Sequence, residues 1–351
     1  MGKLSRVQSA QQTQYQECTL SNQAPTSSED SSIAPPQAAN SRPAVLVTGA
    51  NGHLGQRLVP ELATMQPVIA VVRSASAAAA LQTIVDAQTT EVANRISIVE
   101  LEYTDVSGLR QAAQTCSQAI HLAGILKESP WSTYQQAHED TTRALLTALE
   151  GSAVRRIQYL SIVGSQPDSA NECLASKGRA ETLLLAGDIP ALVMQVPMVL
   201  GEGDYAAAAL NAQAQRGINL VFAVTARDQP LYAGDVVKAL ISGLALPADC
   251  NQRLTLAGPA AVTKRELIER AAALLGRQTR VIGLPRSLAI ALARLLETVS
   301  KSPPVTVPMM EILHHDDNYD PEPACQLLGL TLTPLDNMLE KVLIHVPKIA
   351  V

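Results

Sequence analysis

From Ala44 onward, short β-branched runs alternate with longer stretches whose apolar positions recur at helical spacing. A strand run followed by a helical run, repeated, is the pattern of a parallel sheet covered by crossover helices. The expected strands are Ala44–Thr48, Val68–Val72, Ile96–Leu101, Ala119–Leu122, Ile157–Ser161 and Ala191–Val196. Between them the periodicity predicts helices over His53–Thr64, Ala75–Ala87, Val106–Thr115, Thr133–Leu149 and Ser176–Leu185. Six parallel strands with such crossovers give an α/β fold, a Rossmann-type doubly wound sheet over residues 44–200.

After Gly201 the rhythm loosens. Asp235–Leu246, Lys264–Leu275 and Arg286–Val299 read as helices, and Arg253–Ala257 as a strand. Residues 201–351 are therefore expected to form a smaller, mostly helical lobe that shares the sheet's core and lies over the carboxyl ends of its strands. Residues 1–43 have a different texture. Gln and Ser make up about a third of them, and four prolines interrupt them. Such a segment buries too little apolar surface to offset the entropy of ordering, so a disordered tail is expected. It lacks the apolar run of a secretory signal, and position six is Arg rather than the Ser or Thr of a myristoylation motif. No uninterrupted apolar stretch reaches 18 residues, so no membrane span is expected.

Composition narrows the function. With 27 Lys+Arg against 32 Asp+Glu the net charge is −5, and one Trp and one Phe supply few stacking platforms. Nucleic-acid binding is not expected. The 5 cysteines are scattered, without a C-x-x-C pair, which suits neither a disulfide framework nor a zinc site and is consistent with a reducing, cytoplasmic setting. His314-His315-Asp316-Asp317 looks like a ligand cluster, but adjacent histidines diverge on any regular element. A solvated turn is expected there, and no metal.

The sharpest motif is Val47-Thr48-Gly49-Ala50-Asn51-Gly52-His53-Leu54-Gly55: a strand, a G-x-x-G-x-x-G turn, then an amphipathic helix. Gly49 permits the tight turn, Gly52 lets the backbone approach a pyrophosphate, and Gly55 lets the helix pack on the strand. The helix N-terminus then faces the anion. At the end of the second strand an NAD site would carry a carboxylate for the ribose hydroxyls. This chain has Val72-Arg73-Ser74-Ala75-Ser76, with no acid before Asp86. A guanidinium pairs with a 2′-phosphate, so NADP(H) is expected in preference to NAD(H), with Arg73 and Ser74 as its readers.

These residues resemble the short-chain dehydrogenase/reductase superfamily in its extended or atypical, epimerase/dehydratase-like branch. The resemblance covers roughly Pro43 to Val346. It rests on the glycine turn, His121-Leu122-Ala123-Gly124, Ser176-Lys177-Gly178-Arg179-Ala180-Glu181, Pro197-Met198-Val199-Leu200-Gly201 and Gly234-Asp235-Val236-Val237. It implies that Ala123 and Gly124 lie along the cofactor and that Pro197 and Val199 border the nicotinamide. Glu102 falls where the family commonly has an Asp reaching the adenine, and either keeps that role or is a plain surface acid.

The resemblance breaks at the catalytic centre. Members with dehydrogenase activity carry Tyr-x-x-x-Lys, in which the Tyr moves the proton and the Lys lowers its pKa and holds the nicotinamide ribose. Here Lys177 is preceded four residues earlier by Cys173. The helper Ser or Thr falls on Val163, and Ser161 or Ser165 serves only if the loop shifts. By residue type Tyr134, Tyr159, Tyr205, His121 and His138 are candidate replacements. Of these, Tyr159 and His121 are expected to be core residues, whereas Tyr205, on a loop expected to face the site, is the best placed.

Two readings follow. One is an NADP(H)-binding, catalytically degenerate protein with an accessory, structural or redox-sensing role, similar to the complex I accessory subunits and NmrA-like regulators. The alternative is an active NADPH-dependent reductase, epimerase or dehydratase on a small carbonyl or sugar-type substrate, using Lys177 and an unorthodox proton donor. The partner is thus a dinucleotide plus a small substrate or another protein. The stripe Leu288, Leu292, Leu295 and Val299 within 285–299 offers either a cover for the small lobe's core or a docking face for a membrane or protein.

Overall fold

The computed structural model describes residues 42–285, 290, 291, 294 and 316–344. The strands are β1 (Ala44–Thr48), β2 (Val68–Val72), β3 (Ile96–Glu100), β4 (Cys116–His121), β5 (Ile157–Ile162), β6 (Ala191–Val196), β7 (Val199–Leu200), β8 (Ile218–Phe222), β9 (Arg227–Asp228), β10 (Leu231–Tyr232), β11 (Gln252–Thr255), β12 (Val262–Thr263) and β13 (Arg280–Leu284). The helices of the first half are α1 (His53–Ala63), α2 (Ala75–Asp86), α3 (Thr90–Ala93), α4 (Val106–Ala112), α5 (Thr141–Leu149) and α6 (Glu172–Leu185). Those that follow are α7 (Tyr205–Ala214), α8 (Ala233–Gly243), α9 (Lys264–Leu274), α10 (Glu322–Leu328) and α11 (Leu335–Ile344).

The main sheet runs β11-β6-β5-β4-β1-β2-β3, and every pair in it is parallel. The chain winds outward from β1 through β2 to β3, then returns to start β4 on the other side of β1. That reversal opens a crevice beyond the carboxyl ends of β1 and β4, where Thr48 and His121 are in register, the place where ligands settle in open α/β sheets.

The sheet has seven strands rather than the six expected. The segment expected as a lobe strand is β11, which adds to the β6 edge with Arg253 opposite Val193. Two features draw it there. Leu254 and Leu256 are fully buried in the core on one sheet face. On β11 itself, Arg253 Nε meets the wholly buried Glu181 carboxylate of α6 at 2.6 Å. Glu181 also accepts from Gln195 at 3.0 Å and from Ser161. One buried acid thereby ties α6 to β5, β6 and β11, and its lone pairs are filled, as burial of a charge requires. On the opposite side Arg156 donates to the carbonyls of Gly243 and Leu246, each at 2.9 Å, holding the end of α8 against the sheet.

Two helix boundaries also differ from expectation. Helix α6 begins at Glu172, not Ser176, because the Asn171 side chain accepts the Leu174 amide at 3.2 Å and caps it. The single helix expected over Thr133–Leu149 is a π-helical turn, Gln135–Asp140, running into α5. Beyond residue 200 the chain divides. Helix α8, β11 and α10 pack into the main sheet's core, whereas α7, α9 and α11 enclose a separate cluster around Leu210, Ile268 and Met338. The lobe also holds short strand pairs, β10–β7, β12–β9 and β13–β8.

The stripe at 285–299 lies almost wholly outside the described residues, as do His314 and His315. Asp316 and Asp317, expected in a solvated turn, are pinned instead. Asp316 accepts the Arg227 amide at 2.8 Å, and the Asp317 amide donates to the Arg227 carbonyl at 2.9 Å. Asp317 is buried. Among the described residues there is no cluster of metal-ligating side chains and no helix long and apolar enough to cross a membrane.

Candidate cofactor site

The glycine turn follows β1 directly. Gly49 sits at φ +73°, and a Cβ there would lie 2.8 Å from the Ala123 amide nitrogen. A Cβ on Gly55 would come within 2.5 Å of the Ala50 carbonyl oxygen. The turn, the exit of β4 and the first turn of α1 are therefore in backbone contact, and side chains are excluded from both contact points. Gly52 caps α1, which carries no acid in its first turn, so its free amides face the crevice undiminished.

Above this turn lies a cavity of ≈ 540 Å³. Of the expected cofactor residues, Gly49, Asn51, Gly52, Arg73, Ser74, Glu102, Ala123 and Gly124 line it. His53, Leu54, Gly55, Lys177, Pro197 and Val199 do not. Gly55 is buried beneath the turn, and Lys177 stands behind Gly124, with Nζ 3.1 Å from where a Gly124 Cβ would be. The Arg73 guanidinium lies 5.6 Å from the centre of the Tyr103 ring. Ser74 is hydrogen-bonded to Ser76 at 3.1 Å and caps α2.

Sequence reasoning missed Tyr103. Its hydroxyl accepts the Gly49 amide at 3.0 Å and reaches the Val71 carbonyl at 3.4 Å, so it locks the glycine turn to β2. Trp131 was also missed. It lines the cavity while 90% exposed, on the loop between β4 and the π-helix. It is the chain's one tryptophan, which makes its emission a direct reporter. Titration with NADPH is expected to quench that emission and transfer energy to the reduced nicotinamide, and unchanged emission on binding would place the dinucleotide elsewhere.

Behind Gly124 the remaining polar groups converge. Starting α6 at Glu172 places Cys173 and Lys177 one turn apart on the same helix. Lys177 Nζ donates to the Leu160 carbonyl at 2.9 Å and lies 4.5 Å from the Tyr159 ring centre. Burial pulls its pKa down to about 8 against the opposing influence of Cys173 and Glu181. The Cys173 thiol is buried and pushed up to about 11, chiefly by desolvation, so it is a neutral thiol at physiological pH. Val163 is buried, and the Ser161 hydroxyl is committed to Glu181.

The other candidates separate clearly. Tyr205 is not on a loop facing the site: it is the first residue of α7, 70% exposed and outside the cavity lining. Tyr159 and His121 are fully buried and stacked 5.6 Å apart, with His121 bonded to Thr48 at 2.6 Å. Tyr134 is buried and donates to the Leu126 carbonyl at 3.1 Å. Its hydroxyl also meets the Cys173 thiol, and burial raises its pKa well above the phenolic range. His138, on the π-helix, bonds Ser176 through Nδ1 at 2.8 Å, and its Nε2 faces both the Ile125 amide at 3.1 Å and the Ile125 carbonyl at 3.0 Å. Ser176 in turn donates to the Cys173 carbonyl at 3.1 Å. Burial followed by the charge on Lys177 depresses the His138 pKa to about 3, which keeps the imidazole neutral.

The crevice, the glycine turn and an unobstructed helix N-terminus are the parts of a pyrophosphate site, and the sequence of the domain matches a family whose model is described as NAD(P)H-binding, over residues 49–190. Residues 49–190 are an NAD(P)H-binding domain. Beyond the domain, the chain is 26% identical over 251 residues to the ceramide reductase of Caulobacter vibrioides, covering 71% of this chain and 75% of that protein. It is 23% identical over 276 residues to subunit 9 of the NADH dehydrogenase [ubiquinone] 1 alpha subcomplex of Arabidopsis thaliana mitochondria, covering 77% and 67% respectively. Among solved structures, the Citrobacter sp. triphenylmethane reductase superposes with a TM-score of 0.68 at 16% identity over 86% of this chain and 99% of its own. The Bacillus cereus UDP-glucuronic acid 4-epimerase, solved with NAD, gives 0.66 at 16% over 86% and 98%. These two show the shared fold. The findings agree with the resemblance to the atypical short-chain dehydrogenases/reductases read from the sequence.

Proposed function

We propose that this chain is an NADP(H)-binding protein that has lost tyrosine-dependent proton transfer and acts through its bound cofactor, in an accessory or redox-sensing role. The observation that carries this reading is Cys173: a buried neutral thiol, its pKa near 11, where the reactive phenol would stand. Lys177 beside it is bonded to the Leu160 carbonyl. The residues fit a dinucleotide: the contacts at Gly49 and Gly55 admit no Cβ. In this reading the pyrophosphate meets the amides of Gly52 and the start of α1, and the adenosine end lies between Arg73, Ser74 and Glu102. Arg73 then selects the 2′-phosphate. Arg73→Ala is expected to weaken NADPH binding about tenfold or more while leaving NADH binding nearly unchanged. Calorimetric titration with both cofactors checks this, and an equal loss for the two would remove the NADP preference.

A second reading, an NADPH-dependent carbonyl reductase, is favoured by the 26% identity to a ceramide reductase and by the lysine pKa near 8. When bound, the reduced dinucleotide supplies the hydride. In this reading Lys177, mostly charged near neutral pH, gives its proton to the new alkoxide only after it leaves the Leu160 carbonyl and reaches past Gly124, and it is then reprotonated from solvent. NADPH oxidation against a panel of long-chain and sugar carbonyls separates the two readings. Turnover that disappears in Lys177→Met, with cofactor affinity retained, establishes the reductase, and binding without turnover supports the accessory role.

A further inference from the structure

Strands β8 and β13 form a two-stranded parallel ribbon, with Ile218 opposite Arg280, Leu220 opposite Ile282 and Phe222 opposite Leu284. The period-two alternation divides it cleanly. Asn219, Val221 and Val281 point inward and are buried, with Arg265 of α9 donating to the Val281 carbonyl at 2.6 Å. Three aliphatic side chains on the outward face are open: Ile218 is 62% exposed, Leu220 63% and Ile282 39%, while Phe222 and Leu284 at the far end are half-buried. Because the strands are parallel, the turns that precede them lie at one end of the ribbon. Arg216 and Arg277 in those turns and Arg280 at the start of β13 are all exposed, and none is in an ion pair among the described residues. Residues 215–225 and 276–285 contain no Asp or Glu, in a chain whose net charge is −5.

An aliphatic face with an unpaired guanidinium rim and no acid is complementary to one kind of surface. We propose that the outer face of the β8–β13 ribbon docks on an anionic membrane. The isoleucines and the leucine reach the acyl boundary while the arginines pair with lipid phosphates at headgroup depth. A second copy of the chain is a poorer occupant, since residues 215–225 and 276–285 offer no acid to pair with the partner's arginines. The chain's overall negative charge opposes general attraction to such a membrane, so binding has to come from a local patch, and the arginine and serine variants decide whether it is this one. The inference is independent of the cofactor.

The test is co-sedimentation of the full chain with phosphatidylcholine vesicles, with and without phosphatidylglycerol. Binding is expected only to the anionic vesicles and is expected to fade at high salt. Arg216→Gln with Arg280→Gln should weaken it roughly 25-fold, about fivefold for each charge. Ile218→Ser with Leu220→Ser should abolish it without changing the melting temperature. Failure to bind anionic vesicles, equal binding to neutral ones or unchanged binding by the arginine variant overturns the proposal. So does a dimer in light scattering that the serine variant dissolves, or a lower melting temperature in that variant, which would mean that another part of this chain covers the face.

Discussion

Gly55→Val is expected to abolish dinucleotide binding and to destabilise the fold by about 2–3 kcal/mol, the range for forcing extra carbon into a packed contact. A Cβ at this position meets the Ala50 and Gly49 carbonyl oxygens at 2.5 and 2.6 Å. Both are backbone atoms of the turn itself and cannot rotate aside. Relief requires either the turn or α1 to move, and either movement pulls the helix amides off the pyrophosphate position. Thermal melts with and without NADPH read both effects: the apo transition should fall by roughly 5–10 °C, and the increment that saturating ligand adds to a binding-competent protein should vanish. Gly217→Ala is the control, because nothing lies within 4 Å of its Cβ. A Gly55→Val protein still stabilised by NADPH would show that the turn is not the binding element.

Between pH 7 and pH 5 the protein is expected to lose about 4 kcal/mol of stability, through two histidines. His121 and His138 are buried neutral, and desolvation, aided by the charge on Lys177, holds each near pKa 3 in the fold. In the unfolded chain an imidazole titrates near 6.5. A depressed histidine contributes stability that is whole above the unfolded pKa and is lost as pH falls toward the folded one, because the unfolded state binds the proton first. At pH 5 that is about 2 kcal/mol for each. The carboxylates with lowered pKa, Asp105 and Glu202, act only further down the acid limb. Urea unfolding at pH 7 and pH 5 measures the difference. His121→Gln and His138→Gln should each remove about half of it, and a pH-independent midpoint would contradict the neutral, buried assignment.

How far the sequence reaches can be followed residue by residue. Ala44–Thr48, Val68–Val72 and Ala191–Val196 are strands at the boundaries expected, because a β-branched run closed by Gly, Pro or polar residues carries its own ends. The glycine turn was legible for the same reason, its chemistry being contained within a few consecutive residues. The start of α6 was misplaced because its cap, Asn171, sits among residues without helical periodicity. Strand β11 was assigned to the lobe because its partners, β6 and Glu181, are about 60 and 70 residues away. Tyr103 and Trp131 left no local signal at all.

By itself the sequence determined that this chain folds as a doubly wound parallel sheet with an NAD(P)H-binding turn, and that its Tyr-x-x-x-Lys position holds Cys173 and Lys177. Those are properties of period, backbone freedom and residue type, all written within a helix turn or two. Only the tertiary structure decided that Cys173 is a desolvated, neutral thiol, that Lys177 is bound to the Leu160 carbonyl behind Gly124, and that Tyr205 stands in solvent away from the cavity. It alone set β11 on the sheet edge and left the β8–β13 ribbon with an aliphatic outer face. Burial, proton affinity and exposure are set by what the rest of the chain brings alongside a residue, and that arrangement exists only once segments far apart in sequence have packed.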